Sequence, residues 1–118
     1  MPGLNNTAMG VAATALKTVL LYAQLHSGPA GSSGTANVTT AARQAVTWGS
    51  TSGAGDFGLS SQVDFTGGAS NGDIHSATLW SASTSGTYYG EFVIAGDAAF
   101  NSSGDYSLTS IDLDGSAS

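Results

Sequence analysis

The chain has no cysteine, two prolines and, among 118 residues, only two basic side chains, Lys17 and Arg43. Without cysteine there is no disulfide, no thiol nucleophile and no cysteine-ligated zinc. Two cations cannot lay down the row of phosphate contacts that nucleic acid requires, and they give an anionic membrane surface little to attract. There is no run of about 18 apolar residues, the length a membrane-spanning helix needs. The apolar, Ala-rich start MPGLNNTAMGVAATALKTVLLYA lacks the positive segment that precedes the apolar stretch of a secretory leader, and it is expected to be retained. Charged residues of both signs make up 8% of the chain, against roughly 25% in ordinary soluble domains.

What replaces charge is hydroxyl and glycine: 18 Ser, 13 Thr and 17 Gly, with eight acidic residues setting a net charge of −6. The length suits one domain with one core. Residues 1–17 read as an N-terminal arm and short helix, and 18–118 as a single β-sandwich domain.

Asn5 or Asn6 can cap a helix running from Thr7 to Ala15, because an Asn side-chain oxygen accepts from the free amides of a first turn. From Thr18 the run TVLLYAQLH turns β-branched and aromatic. It predicts a strand with Val19, Leu21, Ala23 and Leu25 on one face and Leu20, Tyr22, Gln24 and His26 on the other; a helix continuing to Gln24 is the alternative. Period-two alternation recurs at Arg43 to Trp48 and at Leu59 to Phe65, separated by the loop GSTSGAGDFG. Ile74 to Ser81 and Thr87 to Ile94 flank the turn-forming SASTSG and predict a hairpin. Tyr106 and Leu108 share a parity that Ile111 and Leu113 do not, so a bulge near Thr109 and Ser110 is needed for all four to point inward. Six strands with loops at this spacing predict a mainly β fold, an antiparallel, jelly-roll-like β-sandwich with one short N-terminal helix.

Three short stretches occur in order along the chain: Leu25, His26 and Pro29; then Ala42, Arg43, Val46, Thr47, Trp48 and Gly49; then Leu79, Trp80, Ser85, Gly86, Thr87 and Gly90. Together they resemble a group of short tailed-bacteriophage proteins described as tail-fibre or minor tail proteins. Thr40 and Ala41 stand where that group usually has an aromatic, and Ala30 where Gly is usual. The resemblance implies a structural role in a phage particle, tail-associated, made in the bacterial cytoplasm, contacting other virion proteins and assembling as a homo-oligomer, with a trimer favoured. A capsid decoration protein on the head surface is the close alternative, and a carbohydrate-binding adhesin that recognises a host surface glycan is a third.

Few groups are available for catalysis. His26 and His75 are the only imidazoles, Lys17 the only side-chain amine, and no G-x-S-x-G elbow is present. The chain is therefore expected to be no enzyme and to use no cofactor or metal. Asp112 and Asp114 share a strand face, but the spacing of an EF-hand calcium loop is missing. Arg43 is expected to pair with a carboxylate. Trp48, Trp80, Phe65 and Phe92 are the candidate core anchors. Tyr88 and Tyr89 are adjacent and must face opposite ways, so one of them is exposed; with Arg43 they are the candidate contacts for a partner or glycan.

Overall fold

A computed structural model describes residues 5–53, 55–94 and 98–113. Within them the chain is mainly β, with one helix, α1 (Asn6–Lys17), and eight short strands, all paired antiparallel. Asn5 caps the helix as expected, its side chain accepting from the Ala8 amide at 3.0 Å. The helix stops where helix formers give way to β-branched residues: the Thr18 amide and hydroxyl both turn back to the Ala15 carbonyl. No helix among the described residues is long and apolar enough to cross a membrane.

Strand β1 (Tyr22–His26) lies between β2 (Gln44–Ala45) and β5 (Ser76–Trp80), and β6 (Tyr88–Val93) completes a four-stranded sheet in the order β2-β1-β5-β6. The predicted hairpin of β5 and β6 is present, with a register irregularity at Leu79/Trp80 that leaves Tyr89 unpaired. Two further two-stranded sheets pair β3 (Phe57–Gly58) with β8 (Asp112–Leu113) and β4 (Val63–Phe65) with β7 (Tyr106–Leu108).

The core collects Ala23 and Leu25 from β1, Ala77 and Leu79 from β5, and Phe57, Val63, Phe65, Ile74, Phe100, Leu108 and Ile111 from around the three sheets. Trp48 and Phe92 pack against it from its margin, and Trp48 meets Phe57 edge-on at 5.2 Å. Burial of this apolar surface, at about 25 cal/mol per Å², is the main favourable term in the fold.

Three sequence expectations need correction. Leu21 does not share the buried face of Ala23 and Leu25: the strand begins only at Tyr22, the chain is still turning out of α1, and Leu20 is the residue buried while Leu21 is exposed. The loop GSTSGAGDFG ends in strand β3, a two-residue element too short for periodicity to reveal. Residues 106–113 do not form one bulged strand but two strands in different sheets. Leu108 and Ile111 are both buried, because the break at 109–111 resets the facing as a bulge would have done.

Candidate functional site

Strand β5 is buried at all five residues, SATLW. Ala77 and Leu79 supply the core face. Ser76, Thr78 and Trp80 point to the opposite face, where the cross-strand neighbours are His26, Gln24 and Tyr22 on β1 and Val93, Glu91 and Tyr88 on β6. Alternation of this kind ordinarily marks a solvated face. Here that face is covered, and Ser76, Thr78 and His26 are completely buried. Burial of so many polar atoms is tolerable only if they satisfy one another, and they do.

The indole Nε1 of Trp80 donates to Thr78 Oγ1 at 2.7 Å, and Thr78 Oγ1 lies 2.8 Å from His26 Nε2. His26 Nδ1 lies 2.8 Å from the Ala36 carbonyl oxygen. A carbonyl can only accept, so Nδ1 carries the ring hydrogen, Nε2 accepts from the Thr78 hydroxyl, and the chain of donors runs in one direction from indole to carbonyl. Beside it, Glu91 accepts from the Ser76 hydroxyl and from the Ala30 amide, the latter at 2.9 Å. The Ser76 hydroxyl holds the Glu91 carboxyl below its ordinary range; partial desolvation pushes the other way, and the Ala30 amide assists the lowering.

Arg43 closes the end of this layer. Its guanidinium carbon lies 3.9 Å from the centroid of Trp80, whose other neighbour is the Tyr88 ring at 5.4 Å. Its Nη1 donates to the carbonyls of Ala82 (2.9 Å) and Ser85 (2.7 Å), and Nε donates to Gln24 Oε1 at 3.3 Å. Where a carboxylate was expected, the guanidinium meets an aromatic face and loop carbonyls, groups that suit its flat, weakly hydrated fork. Burial lowers its pKa from the ordinary guanidinium value.

What the layer holds is two loops. The first, 27–37, leaves β1 at His26 and returns at Val38, which bridges back to His26. It closes on itself through Ser27 N–H to the Asn37 carbonyl and Ala36 N–H to the Ala30 carbonyl. Asn37 sits at φ 55°, with its Nδ2 donating to the Pro29 carbonyl. Gly34 is pressed on Tyr88 so closely that a Cβ there would fall 2.5 Å from the ring. The second loop, 81–87, is pinned by Arg43 and by mutual bonds between Ser81 and Thr87, with Ser85 in the left-handed region at φ 54°. Of the candidate contact residues, Arg43 and Tyr88 therefore belong to the support beneath the loops. Tyr89, 43% exposed, is the tyrosine that faces outward. Trp80 is buried as well, but on this polar face and not in the core cluster.

Nothing in the residue order singles out Thr78, Ser76 or Glu91, whereas Gln24 shares the predicted face of Tyr22 and His26. Only their parity, opposite to Ala77 and Leu79 across paired strands, placed them together. Chemically, the layer is committed: both imidazole nitrogens of His26 are engaged, and the Ser76 hydroxyl is held by Glu91. His75 is partly exposed at the mouth of β5.

Elsewhere, α1 buries only Ala13, and a groove of about 650 Å³ runs between its outer face (Thr7, Gly10, Val11, Thr14) and residues Thr51 and Gly53. Lys17 turns away from that groove, its Nζ donating to the Gly49 carbonyl at 3.0 Å and lying over the Phe57 ring. Asp112 stands beside Gly58, while its proposed companion Asp114 lies outside the described residues. Among the described residues no three His, Cys, Asp or Glu side chains gather as a metal site.

Compared with protein-family models, curated proteins and solved structures, the chain matches none.

Proposed function

We propose that the protein is a non-catalytic structural component of a tailed-phage particle, a jelly-roll-like β-sandwich that assembles with itself and with other virion proteins, on the tail. One observation carries this reading. The residues of the three phage-like stretches that bear chemistry, His26, Arg43, Trp80 and Ser85, meet in a single layer whose hydrogen-bonding groups are spent holding loops 27–37 and 81–87. A catalytic protein keeps such groups exposed and poised near a substrate. A display or assembly protein spends them on rigidity and leaves a neutral hydroxyl surface, which neighbours can cover at little desolvation cost. The surface here fits the second description, with Val11, Val38 and Val93 exposed and only ten ionisable acidic or basic side chains of Asp, Glu, Lys and Arg in the chain.

Quantitative mass spectrometry of separated heads and tails from purified particles tests the reading. A few copies, in a symmetry-matched number and confined to tails, support the tail assignment. Hundreds of copies retained on tail-less heads make the chain a head decoration protein, and absence from both removes it from the particle.

A further inference from the structure

The four-stranded sheet has two unequal edges. The β2 edge offers only the two strand residues Gln44 and Ala45 before the chain runs on into a Trp48–Leu59 bridge and a Ser60 N–H bond to the Thr47 carbonyl. The opposite edge is β6, at six residues the longest strand of the fold. The Ile94 amide donates to the His75 carbonyl, which turns residue 94 toward β5. By alternation Phe92 also faces β5, while Glu91 and Val93 direct their main-chain N–H and C=O groups away from the sheet. Among the described residues none of these four groups has a main-chain partner across that edge.

Proteins usually guard such an edge with Lys, Pro or a covering loop. From Gly90 to Val93 there is neither Lys nor Pro, and Val93 is 68% exposed. The single charge, on Glu91, is held over the sheet face by the Ser76 hydroxyl and the Ala30 amide and does not project past the edge to guard it.

Taking the assembly reading above as its basis, we propose that β6 pairs antiparallel with β6 of a second copy across a two-fold axis, extending the sheet from four strands to eight. In an antiparallel pair, outward-facing residues must oppose outward-facing residues, which leaves few registers. An axis at Glu91 would set two carboxylate-bearing residues directly opposite each other, a destabilising arrangement. An axis at Phe92 sets Glu91 against the second copy's Val93 and Val93 against its Glu91, exchanging four main-chain hydrogen bonds and bringing the two Phe92 residues together. Charge therefore selects the Phe92 axis. With only two strand residues, the β2 edge gives a head-to-tail contact little to pair with, so the proposed contact is isologous, unlike the trimer favoured from the sequence. Each copy carries a net charge of −6, so added salt strengthens this contact by screening, whereas it would weaken a contact with a basic partner.

Sedimentation velocity of the full chain over a concentration series, with amide hydrogen exchange at both ends of the series, tests the pairing. The expected result is a dimer that tightens with salt, with the Glu91 and Val93 amides protected at high concentration and exposed on dilution. Val93→Glu, which sets a carboxylate against the second copy's Glu91 in both halves of the pair, weakens the dimer by about tenfold or more, while Val11→Glu, on the outer face of α1, leaves it intact. Both variants alter exposed side chains, and circular dichroism checks that they fold. A chain that stays monomeric, amides whose exchange ignores concentration, or a dimer broken by Val11→Glu and not by Val93→Glu overturns the proposal. None of these results touches the particle location, so the structural reading fails or stands separately.

Discussion

Thr78 Oγ1 lies 2.8 Å from Nε2 of the fully buried His26 and, on its other side, accepts from Trp80 Nε1. One hydroxyl thus joins the stretch around His26 to the stretch around Trp80, and through Trp80 to Arg43. Replacing it with an isosteric methyl in Thr78→Val leaves an indole N–H and an imidazole nitrogen buried without partners. Each such group costs about 1–3 kcal/mol. The expected loss of unfolding free energy is about 2–4 kcal/mol by urea denaturation, with Thr78→Ser retaining most of the stability because the hydroxyl remains.

Arg43→Lys keeps the charge and removes the planar fork. A lysine reaches one loop carbonyl as a point charge and does not stack on Trp80 in the same way. Loss of the stacking and of one charge-assisted bond is expected to cost about 1–3 kcal/mol. Amide exchange should accelerate in 81–87 more than in 27–37, because Arg43 holds the Ala82 and Ser85 carbonyls directly. Equal acceleration in both loops would contradict the assigned role.

Two glycine substitutions have opposite expected signs. Gly34 has φ +73°, and a Cβ there would strike the Tyr88 ring, so Gly34→Ala destabilises and loosens loop 27–37. Gly10 lies inside α1 with nothing within 4 Å of its added Cβ, so Gly10→Ala raises stability by about 0.5–1 kcal/mol. Thermal melting of the two variants beside the parent reads both signs.

Glu91 gives the fold an acid limb. Its carboxyl titrates below the ordinary range, chiefly because the Ser76 hydroxyl binds the ionised form. A group whose folded pKa lies below its unfolded value stabilises the fold fully above the unfolded value, about 4.3 for Glu, and loses that contribution as pH falls through the folded value. The parent is therefore expected to lose stability relative to Glu91→Gln as pH drops from about 5 through 4 and below. A difference that is independent of pH in that window would contradict the assignment.

Much of this fold was legible in residue order. The Asn5 cap, the β5–β6 hairpin and the placing of Phe65 in the core follow from side-chain chemistry and period alone. The polar layer was not, because alternation says that Ser76, Thr78 and Trp80 share a face but not that loop 27–37 lies over it. That depends on Ala30 and Ala36 bonding to Glu91 and His26, partners 61 and 10 residues away. Arg43 was expected to find a carboxylate because charge suggests charge; its contacts are set by its position at the end of β2, under loop 81–87 and over Trp80. The splitting of residues 106–113 between two sheets was also out of reach, since β3 and β8 are two residues each and leave no periodic trace.

The three stretches meet in one polar network, buried at His26, Thr78 and Trp80, that serves as a support. Long-range proton–nitrogen NMR of the two histidines, with exchange of the Trp80 indole proton, reads this network. The predicted result is a His26 ring with its hydrogen on Nδ1 and Nε2 as acceptor, together with a Trp80 indole proton that exchanges far more slowly than an exposed one. A His26 ring with hydrogen on Nε2, or a Trp80 indole proton that exchanges as fast as an exposed one, would contradict the network and the supporting role built on it.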